Sequence, residues 1–95
     1  DSVPAIYRSH AQVRNSLVAD GCVIDGIVEN CVLSRGVHVA ANAKLKNCVI
    51  MQDSYIEEFV ELENVILDKA VTIRSHGRLI GQKQYPIVIG KNVTL

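Results

Sequence analysis

The sequence predicts an all-β fold, a solenoid of stacked coils, and three observations carry that prediction. A block recurs at fixed spacing: Leu45-Lys46-Asn47-Cys48-Val49-Ile50-Met51-Gln52-Asp53-Ser54-Tyr55-Ile56 is matched in residue type from Val28 to Val39 and from Leu62 to Ile73, 17 residues away on either side. Within each copy the aliphatic pieces are punctuated every five or six residues. They are too short for helices and rich in Val and Ile, which suit a pleated wall. No single copy can bury its apolar face alone, so each must stack on its neighbours.

Taken in chain order, residues 1–12 read as an irregular lead-in, and the start at Asp1 without Met points to an excised domain. The solenoid is expected over 13–95. A looser copy, Val13-Arg14-Asn15-Ser16-Leu17-Val18, ends at Gly21 and Ile24 and stands 15 residues before the copy at Val28. In the middle coil the inward anchors are Val39, Leu45 and Ile50. The next coil uses Ile56, Leu62 and Leu67, and then comes Ile73. Around these anchors runs a hexapeptide rule, clearest in Val39-Ala40-Ala41-Asn42-Ala43-Lys44 and Ile89-Gly90-Lys91-Asn92-Val93-Thr94. This pattern resembles the hexapeptide-repeat, left-handed parallel β-helix, with about 17 residues per coil. Between Ile73 and Ile87 the period fails. A loop excursion is expected near 74–86, around a short Leu79-Ile80 strand, before the helix resumes to Leu95.

Side chains alternate along a strand, so each position forms a column down the stack. Ser16, Cys31, Cys48 and Val65 make one inward column of small residues, and Cys22, Val37, Ser54 and Val71 another. All three cysteines fall in these columns and read as compact packing residues. Three cysteines with no CxxC make neither a disulfide framework nor a zinc knuckle. Asn15, Asn30, Asn47 and Asn64 lie at the shortened corner, where Asn tolerates a left-handed backbone and can bond the next Asn in the stack. If Cys48 and Ile50 point inward, Val49 points out, and so do Leu17, Val32 and Ile66. A solvated wall alternates apolar-in with polar-out. This four-residue aliphatic column breaks that rule and predicts an interface with another domain or subunit. The remaining outer columns are mixed (Val23, His38, Tyr55, Thr72) or charged (Lys44, Glu61).

Ten acids against ten bases, one Phe and no Trp argue against nucleic-acid binding. No apolar run is long enough to span a bilayer and no signal-peptide pattern is present, so the chain reads as cytoplasmic and not membrane-bound. Any anion site must be local, and Arg74, His76, Arg78 and Lys83 are the candidates, in the loop excursion. There is no phosphate-cradling Gly-rich loop. His10, His38 and His76 are too far apart in sequence to form a local ligand pair, and Glu57, Glu58, Glu61 and Glu63 read as a solvated edge.

The motif aliphatic-x-Asn-(Ser/Cys)-Val-(Leu/Ile), seen at Val28-Glu29-Asn30-Cys31-Val32-Leu33 and Leu45-Lys46-Asn47-Cys48-Val49-Ile50 and followed by Ser34-Arg35-Gly36-Val37, resembles sugar-nucleotide pyrophosphorylases. Asn15-Ser16-Leu17-Val18-Ala19-Asp20-Gly21-Cys22, continuing to Val49-Ile50-Met51-Gln52, is similar to the C-terminal β-helix of glucose-1-phosphate adenylyltransferase (ADP-glucose pyrophosphorylase). Within that family it is most like the bacterial glycogen-biosynthesis D-type subunit. The resemblance covers residues 3 to 95, and Val3-Pro4-Ala5-Ile6-Tyr7 is similar to the linker leaving the family's catalytic domain.

The resemblance implies that residues 1–12 are a linker from a missing N-terminal catalytic-type domain. The parent would make, or help to make, ADP-glucose from glucose 1-phosphate and ATP for glycogen synthesis. No nucleotide, sugar or metal residue of the family carries over, so no catalytic, cofactor-binding or metal-binding residue and no cofactor is expected in this chain. Its implied role is assembly and regulation, with its own N-terminal domain and other pyrophosphorylase subunits as partners. Two other readings stay open: a hexapeptide acyltransferase with active sites between subunits, and the β-helix of another sugar-phosphate nucleotidyltransferase. The 17-residue coil, and the lack of a His placed for acyl transfer, favour the first reading over the acyltransferase.

Overall fold

The computed structural model describes residues 3–95. The described residues form five coils of three short strands each and no helix. The first coil comprises β1 (Ile6–Tyr7), β2 (Gln12–Arg14) and β3 (Leu17–Val18); the second, β4 (Val23–Ile24), β5 (Ile27–Glu29) and β6 (Val32–Leu33). The third holds β7 (His38–Val39), β8 (Lys44–Lys46) and β9 (Val49–Ile50); the fourth, β10 (Tyr55–Ile56), β11 (Glu61–Glu63) and β12 (Val65–Leu67). The last has β13 (Thr72–Ile73), β14 (Arg78–Ile80) and β15 (Ile87–Ile89). Corresponding strands pair in parallel and make three five-stranded sheets, the walls of a triangular β-solenoid.

The register reproduces the sequence period. Val28 lies beside Leu45 and Leu45 beside Leu62 in the second sheet, while Leu33, Ile50 and Leu67 stack in the third. These residues, with Ile24, Val39, Ile56 and Ile73 of the first sheet, fill the interior and are almost wholly buried. The 15-residue step also holds, Val13 pairing with Val28. It is explained by one corner: β4 and β5 are joined only by Asp25 and Gly26, where the third coil uses four residues, Ala40 to Ala43. A chain that cuts this corner runs against the coil above. A methyl group on Gly26 would lie 2.6 Å from the Ala43 carbonyl oxygen and 2.8 Å from that of Ala40.

The helix begins earlier than Val13. Ile6–Tyr7 pairs with Val23–Ile24, and the Ile6 amide donates to the Cys22 carbonyl at 2.8 Å, so part of the lead-in expected over 1–12 is the first wall of the first coil. A two-residue strand with no copy before it carries no periodic signature. The excursion expected near 74–86 is shorter in the structure. β14 keeps the 17-residue step, Leu79 lying beside Leu62, so Arg74 to Arg78 form a regular corner and the start of a wall. The extra chain is confined to 81–86, where Gln82 and Tyr85 exchange backbone hydrogen bonds of 3.3 and 3.0 Å in a tight hairpin.

The Asn corner behaves as expected in backbone and only partly in side chain. Asn15, Asn30, Asn47 and Asn64 have φ of 48°, 53°, 54° and 54°, the left-handed region that Asn tolerates best after Gly. Asn15 Nδ2 donates to Asn30 Oδ1, but Asn64 Nδ2 turns instead to the Gly81 carbonyl at 3.1 Å. The inward small residues do more than fill space. Ser16 Oγ donates to the Arg14 carbonyl (2.9 Å) and accepts from the Cys31 amide (3.0 Å). One coil on, Cys31 Sγ donates to the Glu29 carbonyl (3.2 Å) and accepts from the Cys48 amide (3.4 Å). Cys48 Sγ repeats the donation to Lys46 at 3.2 Å, and Ser54 Oγ bridges the Asp68 carbonyl and the Val71 amide at 2.9 and 3.1 Å. A thiol or hydroxyl thus satisfies a corner amide that the strand ladder does not reach.

The three thiols are buried and unbridged. Burial pushes the Cys22 thiol up, and the hydrogen bond to Cys31, reinforced by burial, pushes Cys48 up as well. Cys22 and Cys48 remain protonated inside the coil, while the hydrogen bond with Cys48 draws the Cys31 thiol down to about 7 against its burial.

Gly26→Ala should lower stability by about 2 kcal/mol through overpacking against fixed backbone, measured by urea unfolding. Cys31→Ala should cost about 1–2 kcal/mol by stranding the Cys48 amide, whereas Cys31→Ser, which restores an acceptor, should recover most of it in the same assay. A thiol raised in the folded state lets the unfolded chain ionise first, so its contribution is intact below the ordinary value of 9.0 and is lost as pH rises through and above it. The urea midpoint should therefore fall more steeply above about pH 9 in the native chain than in Cys22→Ser, whose hydroxyl does not titrate there.

Candidate functional site

Because every outer position is repeated one coil away, each wall presents columns of like residues, and the three walls differ in chemistry. The second sheet is charged. One column runs Gln12, Ile27, Lys44, Glu61, Arg78 and another Arg14, Glu29, Lys46, Glu63, Ile80, so charges of opposite sign alternate up the stack. Arg78 Nε meets Glu61 Oε1 at 2.9 Å and Arg14 meets Glu29 at 3.9 Å. Such exposed pairs add little stability, but they neutralise this wall from within and suit it to water.

The first sheet is mixed. Its outer column reads Ile6, Val23, His38, Tyr55, Thr72, with the His38 and Tyr55 rings stacked at a centroid separation of 5.2 Å and an angle of 18°.

The third sheet is aliphatic. Leu17, Val32, Val49 and Ile66 stack in register on its outer face, as their alternation with Cys48 and Ile50 predicts. Leu17 is 71% exposed, Val32 41% and Val49 36%, while Ile66 is half-buried. The column does not stop there. Val88, 65% exposed, pairs with Ile66 and extends the stripe over all five coils. It escapes a search at period 17 because the hairpin at 81–86 displaces it. The signal is nevertheless present in Ile87-Val88-Ile89, a copy of Val65-Ile66-Leu67. Along the far edge of the same wall stand Ala19, Ser34, Met51 and Asp68, joined coil to coil by backbone bonds of 2.9 to 3.0 Å, so the face carries no charge until its fourth coil.

Arg74, His76, Arg78 and Lys83 are not gathered into one free cationic cluster. Arg78 is paired with Glu61, Arg74 Nε donates to the Leu95 carbonyl at 3.3 Å, and His76 stacks flat on Phe59 with centroids 5.2 Å apart. Lys83 lies in the hairpin. Acids surround the same corner, Glu57 accepting the Ser75 amide at 3.0 Å. The three histidines sit apart: His10 lies 3.4 Å from Asp25, His38 on Tyr55, His76 on Phe59. Among the described residues no group of three or more His, Cys, Asp or Glu is placed to hold a metal, and no helix is long and apolar enough to cross a membrane. What this geometry offers is a rigid prism with one greasy wall.

Comparison with known proteins agrees with the coil. The model of the GlmU-like, C-terminal hexapeptide family matches residues 3–85. The glycogen biosynthesis protein GlgD of Bacillus subtilis (strain 168) is 48% identical over 93 residues, which is 98% of this chain and 27% of that protein. Glucose-1-phosphate adenylyltransferase of Desulfitobacterium hafniense (strain DSM 10664 / DCB-2) is 35% identical over 81 residues, 85% of this chain and 20% of that protein. The corresponding enzyme of Acetivibrio thermocellus is 36% identical over 67 residues, 70% of this chain and 16% of that protein. The chain thus spans about a quarter of the length of the first of these relatives, and less of the others. With its five hexapeptide coils, its Asn corner and a family match over nearly its whole length, the chain belongs to the GlmU-like C-terminal hexapeptide family and is related to the glucose-1-phosphate adenylyltransferases.

Proposed function

We propose that this chain is the assembly and regulatory domain of an ADP-glucose pyrophosphorylase subunit acting in glycogen biosynthesis, non-catalytic by itself and cytoplasmic. The likeness to GlgD and to the adenylyltransferases supports the pathway. The observation that carries the assembly role is the aliphatic column Leu17, Val32, Val49, Ile66, Val88, unbroken over five coils on a wall whose two neighbours are charged or mixed. A contiguous apolar stripe on a rigid surface is what an interface core requires. Its partners are a catalytic-type domain and other pyrophosphorylase subunits. Regulation follows from the same rigidity, because a solenoid held by backbone bonds between coils transmits a displacement at one wall instead of absorbing it. No cofactor is assigned to this part of the molecule.

Val49→Asp places a carboxylate at the centre of the stripe while leaving the interior untouched. Mixed with a glucose-1-phosphate adenylyltransferase-type subunit and followed by light scattering, the variant should assemble about 100-fold more weakly than the native chain, which corresponds to about 2.7 kcal/mol. Undiminished assembly of a variant whose circular dichroism matches the native chain would overturn the reading.

A further inference from the structure

Shape as well as chemistry varies along the greasy wall. The hairpin at 81–86 is inserted between β14 and β15, so it stands at the corner between the second and third sheets, on the fifth coil. It caps Asn64, which is only 8% exposed, and leaves Tyr85 77% exposed. On the first and second coils the same corner is bare. There Asn15, Ser16, Leu17, Asn30, Cys31 and Val32 line a shallow concavity, and among the described residues the side chains of Asn15 and Asn30 hydrogen-bond only to each other. A knob and a hollow therefore share one corner at opposite ends of the stack, with the uncharged stripe between them.

From this arrangement we infer that the third sheet packs face to face on the third sheet of a second copy of this chain, about a two-fold axis running parallel to the strands at β9. The inference rests on the reading of this wall as an assembly surface and names its occupant. Such an axis exchanges first coil with fifth and leaves the corner in place. Each Tyr85 hairpin then enters the partner's hollow beside Leu17, Leu17 faces Val88, Val32 faces Ile66, and Val49 meets its own counterpart on the axis. An axis parallel to the stack would instead set each hairpin against the far edge of the partner's fifth coil and leave both hollows unfilled.

Charge agrees with this pairing. A symmetric contact sets every charge on the axis against its own copy, and the middle coil of this wall presents Val49 and Met51, with no charge to repel. The second sheet, which carries Lys44 and Lys46 on its middle coil, would oppose like charges under the same operation.

Single-cysteine cross-linking of the 95-residue chain tests the geometry, since the native thiols are at most 2% exposed and stay silent under mild oxidation. Val49→Cys should convert mostly to a disulfide-linked dimer. Leu17→Cys and Val88→Cys should each stay monomeric alone, because successive coils are about 4.8 Å apart and the two like positions are four coils apart across the axis, yet should link when mixed. Lys44→Cys, on the charged wall, should not link, and Tyr85→Ala in the Val49→Cys background should slow cross-linking about tenfold. Failure of Val49→Cys to link to itself, or linking no faster than Lys44→Cys, would overturn the inference. If it fails while Val49→Asp still abolishes association with an adenylyltransferase-type subunit, the second-copy contact falls and the assembly reading survives. If Val49→Asp also has no effect, both fall.

Discussion

Every wall of this protein depends on one constraint: backbone hydrogen bonds between coils hold each residue beside its counterpart one turn away. The bonds run through all three sheets, as in Val23 N–H to Val37, Ile27 N–H to Ala43 and Val32 N–H to Cys48, at 3.0, 2.8 and 3.0 Å. A residue in a solenoid is therefore selected against its own column. Apolar columns fill the interior, alternating charges neutralise the second wall, and small hydroxyl or thiol groups recur where a corner amide needs an acceptor. Because the fold propagates by nearest-neighbour contact, a property established on one wall extends over its whole height. That is why five scattered aliphatic residues become one surface.

The corners bear the cost of that regularity. Most turns carry a residue in the left-handed region, supplied at the second-to-third corner of the first four coils by four asparagines and elsewhere mainly by Gly21, Gly36, Asn42, Asp53, His76 and Asn92. Two positions break the preference. Phe59 and Ala70 have φ of 60° and 55°, a conformation that costs a side-chain-bearing residue about 1–2 kcal/mol. Phe59 recovers part of this by stacking on His76 of the next coil, itself at φ 68°. Ala70 keeps its amide bonded to Gln52 at 3.0 Å. The stack is held by enough inter-coil bonds to impose its corner on residues that would not choose it.

The departures from the period matter most for function. The two-residue cut at Asp25-Gly26 lets the second coil close only because Gly26 lacks a side chain. The hairpin at 81–86 leaves the walls parallel but places an exposed Tyr85 on a corner that is otherwise flat. One irregularity lies near each end of the prism. Without them the wall would be uniform along its axis, and nothing would fix where along it a partner sits.

The sequence by itself determined the solenoid, the length of its coil, the inward and outward sense of each column and the aliphatic stripe from Leu17 to Ile66. All follow from the alternation of side chains along strands of known spacing, a local rule that needs no coordinates. It also carried the family, through the Asn-Cys-Val block. It did not determine where the helix begins, how short the insertion is, or that Val88 completes the stripe, because a two-residue strand leaves no periodic trace and the copy at Ile87-Val88-Ile89 is displaced from the 17-residue step. The separate partners of Arg74, His76 and Arg78 were equally hidden, since each of those contacts joins residues at least 17 positions apart. Only the tertiary structure decided these points: stacking brings distant residues into register, and which neighbour neutralises a charge or caps a corner is settled across coils.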